Sequence, residues 1–432
     1  MKICVYGLWH LGCVTAACVA ERFPTIGLDP DAKVVSDLSN GKPPILEPGL
    51  RELIAKGQSD GRLRFTNDAR EAEVADIVWT TFDTPVNQED QADAGFVEAQ
   101  IVSLFPHLRR DSIVLISSQL PVGSTRRLEE AYRDQFPAGN VRFACSPENL
   151  RLGKAIEVFR SPGRIVVGTR SQEDRKRLEE LLKPFCENLI WMSVESAEMT
   201  KHALNAFLAN SISFINEIAT LCEETGADAK EVERGLKTDE RIGPRAYLGA
   251  GGPFAGGTLA RDVSFLTQLA LELGVSTPLL ESIRRSNDIH KNWTRRKLGS
   301  VLGTLAGKTV AVLGLTYKPG TDTLRRSAAV ELCIWLTERG ANVKAFDPVV
   351  QRLPGDLEQR VRLCDSAVAA LESSDVAVIA TEWPELRDLT VKDLLETMKT
   401  PVVLDANRFL EKSLPVAPPL RYVAVGMPRE RS

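Results

Sequence analysis

Lys201 and Asn205 stand four residues apart in a run whose apolar residues recur at helical spacing, so both side chains project from one helix face. A lysine held beside a hydroxyl can take its proton, or stabilise the alkoxide, while hydride leaves the carbon. An asparagine one turn away can fix the same oxygen with a neutral hydrogen bond. A lone lysine on a helix is more often a solvated side chain, so the pair by itself leaves both readings open. A second chemical signal lies at the N-terminus. Val5-Tyr6-Gly7-Leu8-Trp9-His10-Leu11-Gly12 follows a strand-like run and opens a helical one, where a dinucleotide fingerprint G-x-G-x-x-G would sit. Gly7 and Gly12 supply the first and third glycines, but Trp9 stands at the second, where a Cβ and an indole would crowd the anion. Asp29, 22 residues after Gly7, closes the short strand Thr25–Leu28. A carboxylate there suits two ribose hydroxyls and repels a 2′-phosphate, which favours NAD over NADP. The same turn is also an ordinary strand-to-helix connection, so these residues alone leave the cofactor site and the plain connection open.

The elements that must position these groups are readable from periodicity. Ile3–Tyr6, Ile77–Thr81, Ile113–Ser117 and Ile165–Gly168 are β-branched runs separated by segments long enough for crossover helices. That alternation predicts a doubly wound parallel sheet. From Glu195 to Leu302 strand-like runs vanish, and Leu204, Phe207, Leu208, Ser211, Ile215, Ile218, Leu221 and Cys222 predict one helix of about 25 residues. Gly249–Gly257, with five Gly and one Pro, is predicted as a loop. A second α/β pattern then begins, with strands at Thr309–Leu313, Val343–Phe346 and Val376–Ala380 and a helix at Ala328–Arg339. Val416–Ser432 is Pro- and Arg-rich and is expected to fray. The expected organisation is a Rossmann-like NAD-binding domain at 1–194, a central helical domain at 195–303 and a C-terminal Rossmann-like domain at 304–432.

Composition narrows the classes. The 432 residues are 43% hydrophobic and 26% charged, and 54 Lys and Arg against 58 Asp and Glu give a formal charge of −4. No basic excess draws the chain to nucleic acid. No run approaches 18 apolar residues, so no membrane span is expected, and Met-Lys-Ile-Cys-Val-Tyr-Gly reads as a strand rather than a signal peptide. A cytoplasmic protein is the expectation. The eight Cys form no C-x-x-C pair and fall mostly in apolar runs, where a thiol behaves as a small hydrophobe. The four His have no metal-ligand spacing, so no metal is expected.

A series of ordered segments spans nearly the whole chain. They are Asn40-Gly-Lys-Pro-Pro-Ile-Leu-Glu-Pro-Gly-Leu50, Ser118-Gln-Leu-Pro-Val-Gly-Ser124, Ser146-Pro-Glu-Asn-Leu-Arg-Leu-Gly153 and Pro162-Gly-Arg-Ile-Val-Val-Gly168. Ala197-Glu-Met-Thr-Lys-His-Ala-Leu-Asn-Ala-Phe-Leu-Ala209, Ser213-Phe-Ile-Asn-Glu-Ile218, Arg241-Ile-Gly243 and Gly256-Gly-Thr-Leu-Ala-Arg-Asp262 follow. Leu313-Gly-Leu-Thr-Tyr-Lys-Pro-Gly-Thr-Asp322, Arg325 and Phe346-Asp-Pro348 complete the series. Together they resemble the UDP-glucose/GDP-mannose dehydrogenase family, the NAD-dependent nucleotide-sugar dehydrogenases. The resemblance implies a nucleotide-sugar substrate and a homodimer formed around the long central helix.

It also implies roles residue by residue. Lys201 and Asn205 match the family's catalytic pair, Glu148 a carboxylate that assists hydrolysis of a covalent intermediate, and Asp262 a water-positioning carboxylate. Gly7, Trp9, Leu11, Gly12, Asp29, Thr84, Ser118, Gln119 and Arg261 fall at cofactor positions, Arg261 suiting the pyrophosphate. Asn149, Leu150, Tyr247, Phe254, Gly257, Lys318 and Arg325 fall at substrate positions, and the charge of Lys318 and Arg325 suits a diphosphate or a carboxyl product.

Three departures from the family pattern fall where the chemistry is. The four-electron oxidation of an alcohol to an acid uses a Cys nucleophile in G-G-x-C-x-P-x-D. Here four residues, Thr258 to Arg261, separate the Gly pair from Asp262, and none is Cys. Thr258 could replace the thiol, although a hydroxyl without an activating base is a poor nucleophile. Gln119 stands where the family carries a water-holding Thr, and Trp9 is the third change. An enzyme of this kind is expected to stop after one hydride, at an aldehyde or ketone. Oxidation to the acid through a hydrated aldehyde, handled by Glu148 and Asp262, and a non-catalytic binding homologue are the alternatives.

Overall fold

The computed structural model describes the chain except residues 46, 87–91, 149, 256, 326, 356, 415–417 and 429–432. Contacts group the residues into two compact units, one of 1–206 with 261–276 and one of 207–260 with 277–432.

In the first unit, eight strands form a sheet in the order β3-β2-β1-β4-β5-β6-β7-β8. They are β1 (Ile3–Tyr6), β2 (Thr25–Leu28), β3 (Leu63–Thr66), β4 (Ile77–Thr80), β5 (Ile113–Ile116), β6 (Arg142–Cys145), β7 (Ile165–Gly168) and β8 (Leu189–Met192). Every side chain of β1, β4 and β5 is buried, as continuous apolar runs in a sheet covered on both faces require. The pairs are parallel except β6 with β7, which meet antiparallel at Cys145 and Gly168. Because β7 starts from the edge where β6 ends, the segment between them, with its short helix Ala155–Arg160, stays at the carboxyl edge of β6. The turns after β1, β2, β4, β5 and β6 therefore gather at the carboxyl ends of the strands, where open α/β sheets bind ligands.

The second unit carries a six-stranded, all-parallel sheet, β11-β10-β9-β12-β13-β14. Its strands are β9 (Thr309–Leu313), β10 (Asn342–Phe346), β11 (Val361–Leu363), β12 (Val376–Ile379), β13 (Val402–Asp405) and β14 (Arg421–Val423). The C-terminal stretch expected to fray supplies β14. Tyr422 is buried there and its hydroxyl donates to Asp405 at 2.6 Å. The central helix is 32 residues long, Val194–Thr225, rather than about 25, because its helical pattern starts directly after β8. Near its C-terminal end the buried carboxylate of Glu223 accepts from the indole of Trp293 (2.8 Å) and the Gly426 N–H (3.0 Å). Among the described residues no helix is long and apolar enough to cross a membrane.

Two glycines fix the turn after β1. Gly7 has φ +97°, and a Cβ at Gly12 would lie 1.7 Å from the Gly7 carbonyl oxygen, a backbone atom that cannot move aside. Gly12→Ala is expected to destabilise the protein by about 1–3 kcal/mol, read as a lower thermal unfolding temperature. Gly163→Ala, where a methyl meets nothing within 4 Å, should leave that temperature unchanged.

Candidate active site

The turn after β1 delivers the helix His10–Val19, whose first-turn N–H groups have no partners within the helix and can face an anion. Asp29, at the end of β2, holds this turn from behind: its carboxylate accepts the Leu8 N–H at 2.7 Å and the Asp31 N–H at 2.9 Å. Burial pushes the Asp29 carboxyl above its ordinary range, and those two N–H bonds pull it back in part. Two bonds leave a carboxylate with further acceptor sites, as ribose hydroxyls require. Trp9 is the residue flanking the helix start, and its indole is 47% exposed. Leu11 and Thr84 are buried, and Thr84 donates to the Gln119 carbonyl at 2.5 Å. The Ser118 hydroxyl is buried with no hydrogen-bond partner. With the glycine turn, the helix start, Asp29 and this unpaired hydroxyl, the edge of β1, β4 and β5 fits a bound NAD.

A second cluster surrounds Asp262, which has no exposed surface. Its Oδ1 accepts from the Gln119 amide and from His202 Nδ1 (2.8 Å), and its Oδ2 accepts from the Asn205 amide. A carboxylate only accepts, so the amide NH₂ groups of Gln119 and Asn205 must face it. The Gln119 carbonyl then faces outward and takes the Arg261 guanidinium. Burial pulls the Arg261 guanidinium below its usual range, and its Nε lies buried without a partner. The donors come from the turn after β5 and from the Val194–Thr225 helix, and the acceptor from the helix Thr258–Glu272.

Lys201 and Glu148 are also brought together, through the main chain: Lys201 Nζ donates to the Glu148 carbonyl oxygen at 2.6 Å. The Glu148 side chain accepts the Leu150 N–H at 2.5 Å and so shapes its own loop. Ser118, Gln119, Cys145, Glu148, Lys201 and His202 line one pocket. Burial first, and the Glu198 carboxylate second, push the Cys145 thiol well above its ordinary range, which suppresses the thiolate a nucleophile needs.

The remaining expected residues are placed as follows. Asn149 lies outside the described residues. Thr258 is exposed at the first position of its helix, one turn before Asp262. Gly257 has φ +100°, a conformation that favours glycine. In the second unit Phe254 is buried, its N–H and C=O both bonded to the Asn287 side chain at 2.9 Å, while Tyr247 is exposed. Lys318 is half-buried and Arg325 exposed, both in the loop after β9. His202 is the one member of the Asp262 cluster that the sequence reading left unassigned. Its signal was the spacing: His202 and Asn205 are three apart on the helix and so reach one partner.

Residues 1–186 match the NAD binding domain of the UDP-glucose/GDP-mannose dehydrogenase family, residues 195–289 its central domain and residues 311–412 its UDP binding domain. The chain is 35% identical over 435 residues to the UDP-glucose 6-dehydrogenase TuaD of Bacillus subtilis (strain 168), covering all of this chain and 94% of that one. It is 35% identical over 437 residues to the UDP-glucose 6-dehydrogenase of Rhizobium meliloti (strain 1021), covering 99% and 100%. The solved UDP-glucose dehydrogenase of the hyperthermophilic archaeon Pyrobaculum islandicum superposes with a TM-score of 0.85 at 30% identity, covering 98% of this chain and 97% of that one. A glycine turn backed by a buried aspartate, a lysine–asparagine helix face and three consecutive domain matches thus agree, and the chain belongs to the UDP-glucose/GDP-mannose dehydrogenase family of NAD-dependent oxidoreductases acting on nucleotide sugars.

Proposed function

We propose that this protein oxidises an alcohol on the sugar of UDP-glucose or a close relative, and releases the carbonyl compound after a single hydride transfer. The observation that carries the reading is the helix face of Lys201 and Asn205, held by Glu148 after β6 and by Asp262 at the carboxyl edge of the first sheet. Lys201 takes the proton of the sugar hydroxyl, and its bond to the Glu148 carbonyl aims the amine. Asn205, its amide anchored on Asp262, orients the sugar oxygen. Bound NAD supplies the hydride acceptor. On the cofactor side, Asp29 takes the ribose hydroxyls, the helix start with Arg261 takes the pyrophosphate, and Ser118, Thr84, Leu11 and Gln119 line the remainder. Lys318 and Arg325 suit the substrate's diphosphate.

Two features support stopping at the carbonyl stage. The segment Gly257–Asp262 carries no thiol, and Cys145 is held in its protonated form. Asp262, whose counterpart in the family positions a water, spends three of its roughly four acceptor sites on protein donors. The eight free cysteines suit a reducing compartment, and we place the reaction in the cytoplasm.

We also propose a homodimer. Phe207, Phe214 and Leu221 recur every seven residues on the Val194–Thr225 helix and are 67%, 46% and 61% exposed. Such a stripe asks for a partner surface, and a second copy provides one. Residues 1–194, 195–303 and 304–432 are our division into cofactor, central and nucleotide-sugar domains.

Four outcomes are expected. With UDP-glucose, one NADH should form per product, and mass spectrometry should find the aldehyde; two NADH and an acid would mean that a water does the work of the thiol. Lys201→Ala should lose about 10²–10⁴-fold in kcat with NAD binding unchanged by calorimetry, and surviving turnover would remove Lys201 from its role. Asp29→Asn should weaken NAD and narrow its margin over NADP in the same titration. Sedimentation should give about twice the 47.5 kDa chain mass, falling to one chain in Phe207→Glu/Leu221→Glu.

A further inference from the structure

His202 lies in the middle of the reacting face and takes no part in the chemistry just described. It is 1% exposed, and its ring packs edge-on against Phe265 at 5.4 Å between centroids. Nδ1 lies 2.8 Å from Asp262 Oδ1 and Nε2 lies 2.9 Å from the Leu120 carbonyl oxygen. Both partners only accept, so the ring is held between them by its N–H groups. The other nearby carboxylate on its own helix, Glu198, is committed to the Gly123 and Thr125 N–H groups and the Thr125 hydroxyl. Asp262 is therefore the anion that His202 answers.

We propose that His202 is a positioning residue for the hydride-transfer step: it clamps Asp262, and through Asp262 the Asn205 amide. The inference rests on the reading that Lys201 and Asn205 meet the sugar hydroxyl. His202 joins three segments at one point, the Ser118–Leu120 turn, the Val194–Thr225 helix and the Thr258–Glu272 helix. Lys201 is its immediate neighbour in sequence and Asn205 shares its acceptor. Without the ring N–H, Asp262 Oδ1 loses one of its two donors, and the Asn205 amide on Oδ2 is drawn from its place. An error of about 1 Å in such a group costs on the order of 10²-fold in rate.

The two ring nitrogens can be replaced one at a time. His202→Asn puts an amide N–H near the position of Nδ1 and keeps the bond to Asp262, whereas His202→Gln reaches the position of Nε2 and keeps only the bond to Leu120. Full-length variants are assayed for NADH formation from UDP-glucose, beside Lys201→Ala. His202→Gln and His202→Ala should lose about 10²-fold in kcat with KM within about threefold, and His202→Asn should recover most of the loss. In an Asp262→Asn background, His202→Ala should cost nothing further. Equal rates for the Asn and Gln variants, a loss carried by KM, or multiplying losses in the double variant would overturn the assignment. Turnover surviving in Lys201→Ala would instead strike the proposed base while leaving the Asn-against-Gln ranking readable. Should UDP-glucose not turn over at all, the proposed substrate fails. Thermal unfolding of the same cycle then decides the His202–Asp262 pair, since additive temperature losses would refute it.

Discussion

A carboxylate with no exposed surface must be met by donors or give up its charge, and Asp262 is met by three. Much of the reacting edge follows from that demand. The Gln119 amide must point its NH₂ at Asp262, which turns its carbonyl toward Arg261, the residue before Asp262 on the same helix. The Asn205 amide is fixed in the same way, and with it the helix face that presents Lys201. Removing one partner of a buried pair costs about 3–5 kcal/mol, a large share of the roughly 5–15 kcal/mol that holds a domain folded. The arrangement is therefore stiff because it is costly to disturb, and stiffness is what alignment of a hydroxyl with a base requires. It also narrows what Asp262 can do, since three of its roughly four acceptor sites are taken by protein donors.

The two sheets make the same turn and use it differently. In each, the N–H following a glycine at the end of the first strand donates to an aspartate at the end of the second, Leu8 to Asp29 and Leu315 to Asp347, both at 2.7 Å. The strand orders correspond over six positions. Asp29 accepts two backbone N–H groups, one on each oxygen, and keeps lone pairs in reserve. Asp347 also takes the Thr316 N–H and hydroxyl, the Val349 N–H and the Trp383 indole. One architecture thus leaves acceptor sites open on the aspartate of the first unit and closes them with an indole in the second. The difference lies in side-chain supply: Thr316 and Trp383 stand where the first unit has no such donors to Asp29.

Sequence and structure agree where a segment is long or uniformly apolar. β1, β4, β5, β9 and β12 are buried β-branched runs, and each falls within a residue of its expected bounds. β3, β6, β11 and β14 carry Arg64, Arg142, Arg362 and Arg421, so that no apolar period builds up, while β8 and β13 are apolar runs of only four residues with no strand expected there. The long helix was legible as a helix, but its apolar residues were counted as one stripe. Ile215, Ala219 and Cys222 are buried whereas Phe207, Phe214 and Leu221 face outward, and only burial separates the two sets. In the reacting cluster, Lys201, Asn205 and Asp262 were found through resemblance. His202 has no metal-ligand spacing, and its partner is a carboxylate 60 residues away that only the fold brings near.

Trp9 illustrates how a local rule can be broken when the surroundings hold the main chain. The glycine it replaces serves to let the backbone approach an anion, and a side chain there would be harmful if it lay over the turn. The turn is instead tethered on both sides of residue 9. Leu8 is bound by Asp29, and the His10 ring is bound by Glu47 at 3.0 Å. Glu47 is itself buried and accepts the Gly153 N–H at 2.7 Å and the Ala155 N–H at 2.8 Å, which ties the loop of Glu148 to the same anchor. With both neighbours fixed, the indole stays half-exposed and the helix keeps its first-turn N–H groups for a ligand. One carboxylate, Glu47, thus holds the turn after β1 and the loop after β6 in a common frame.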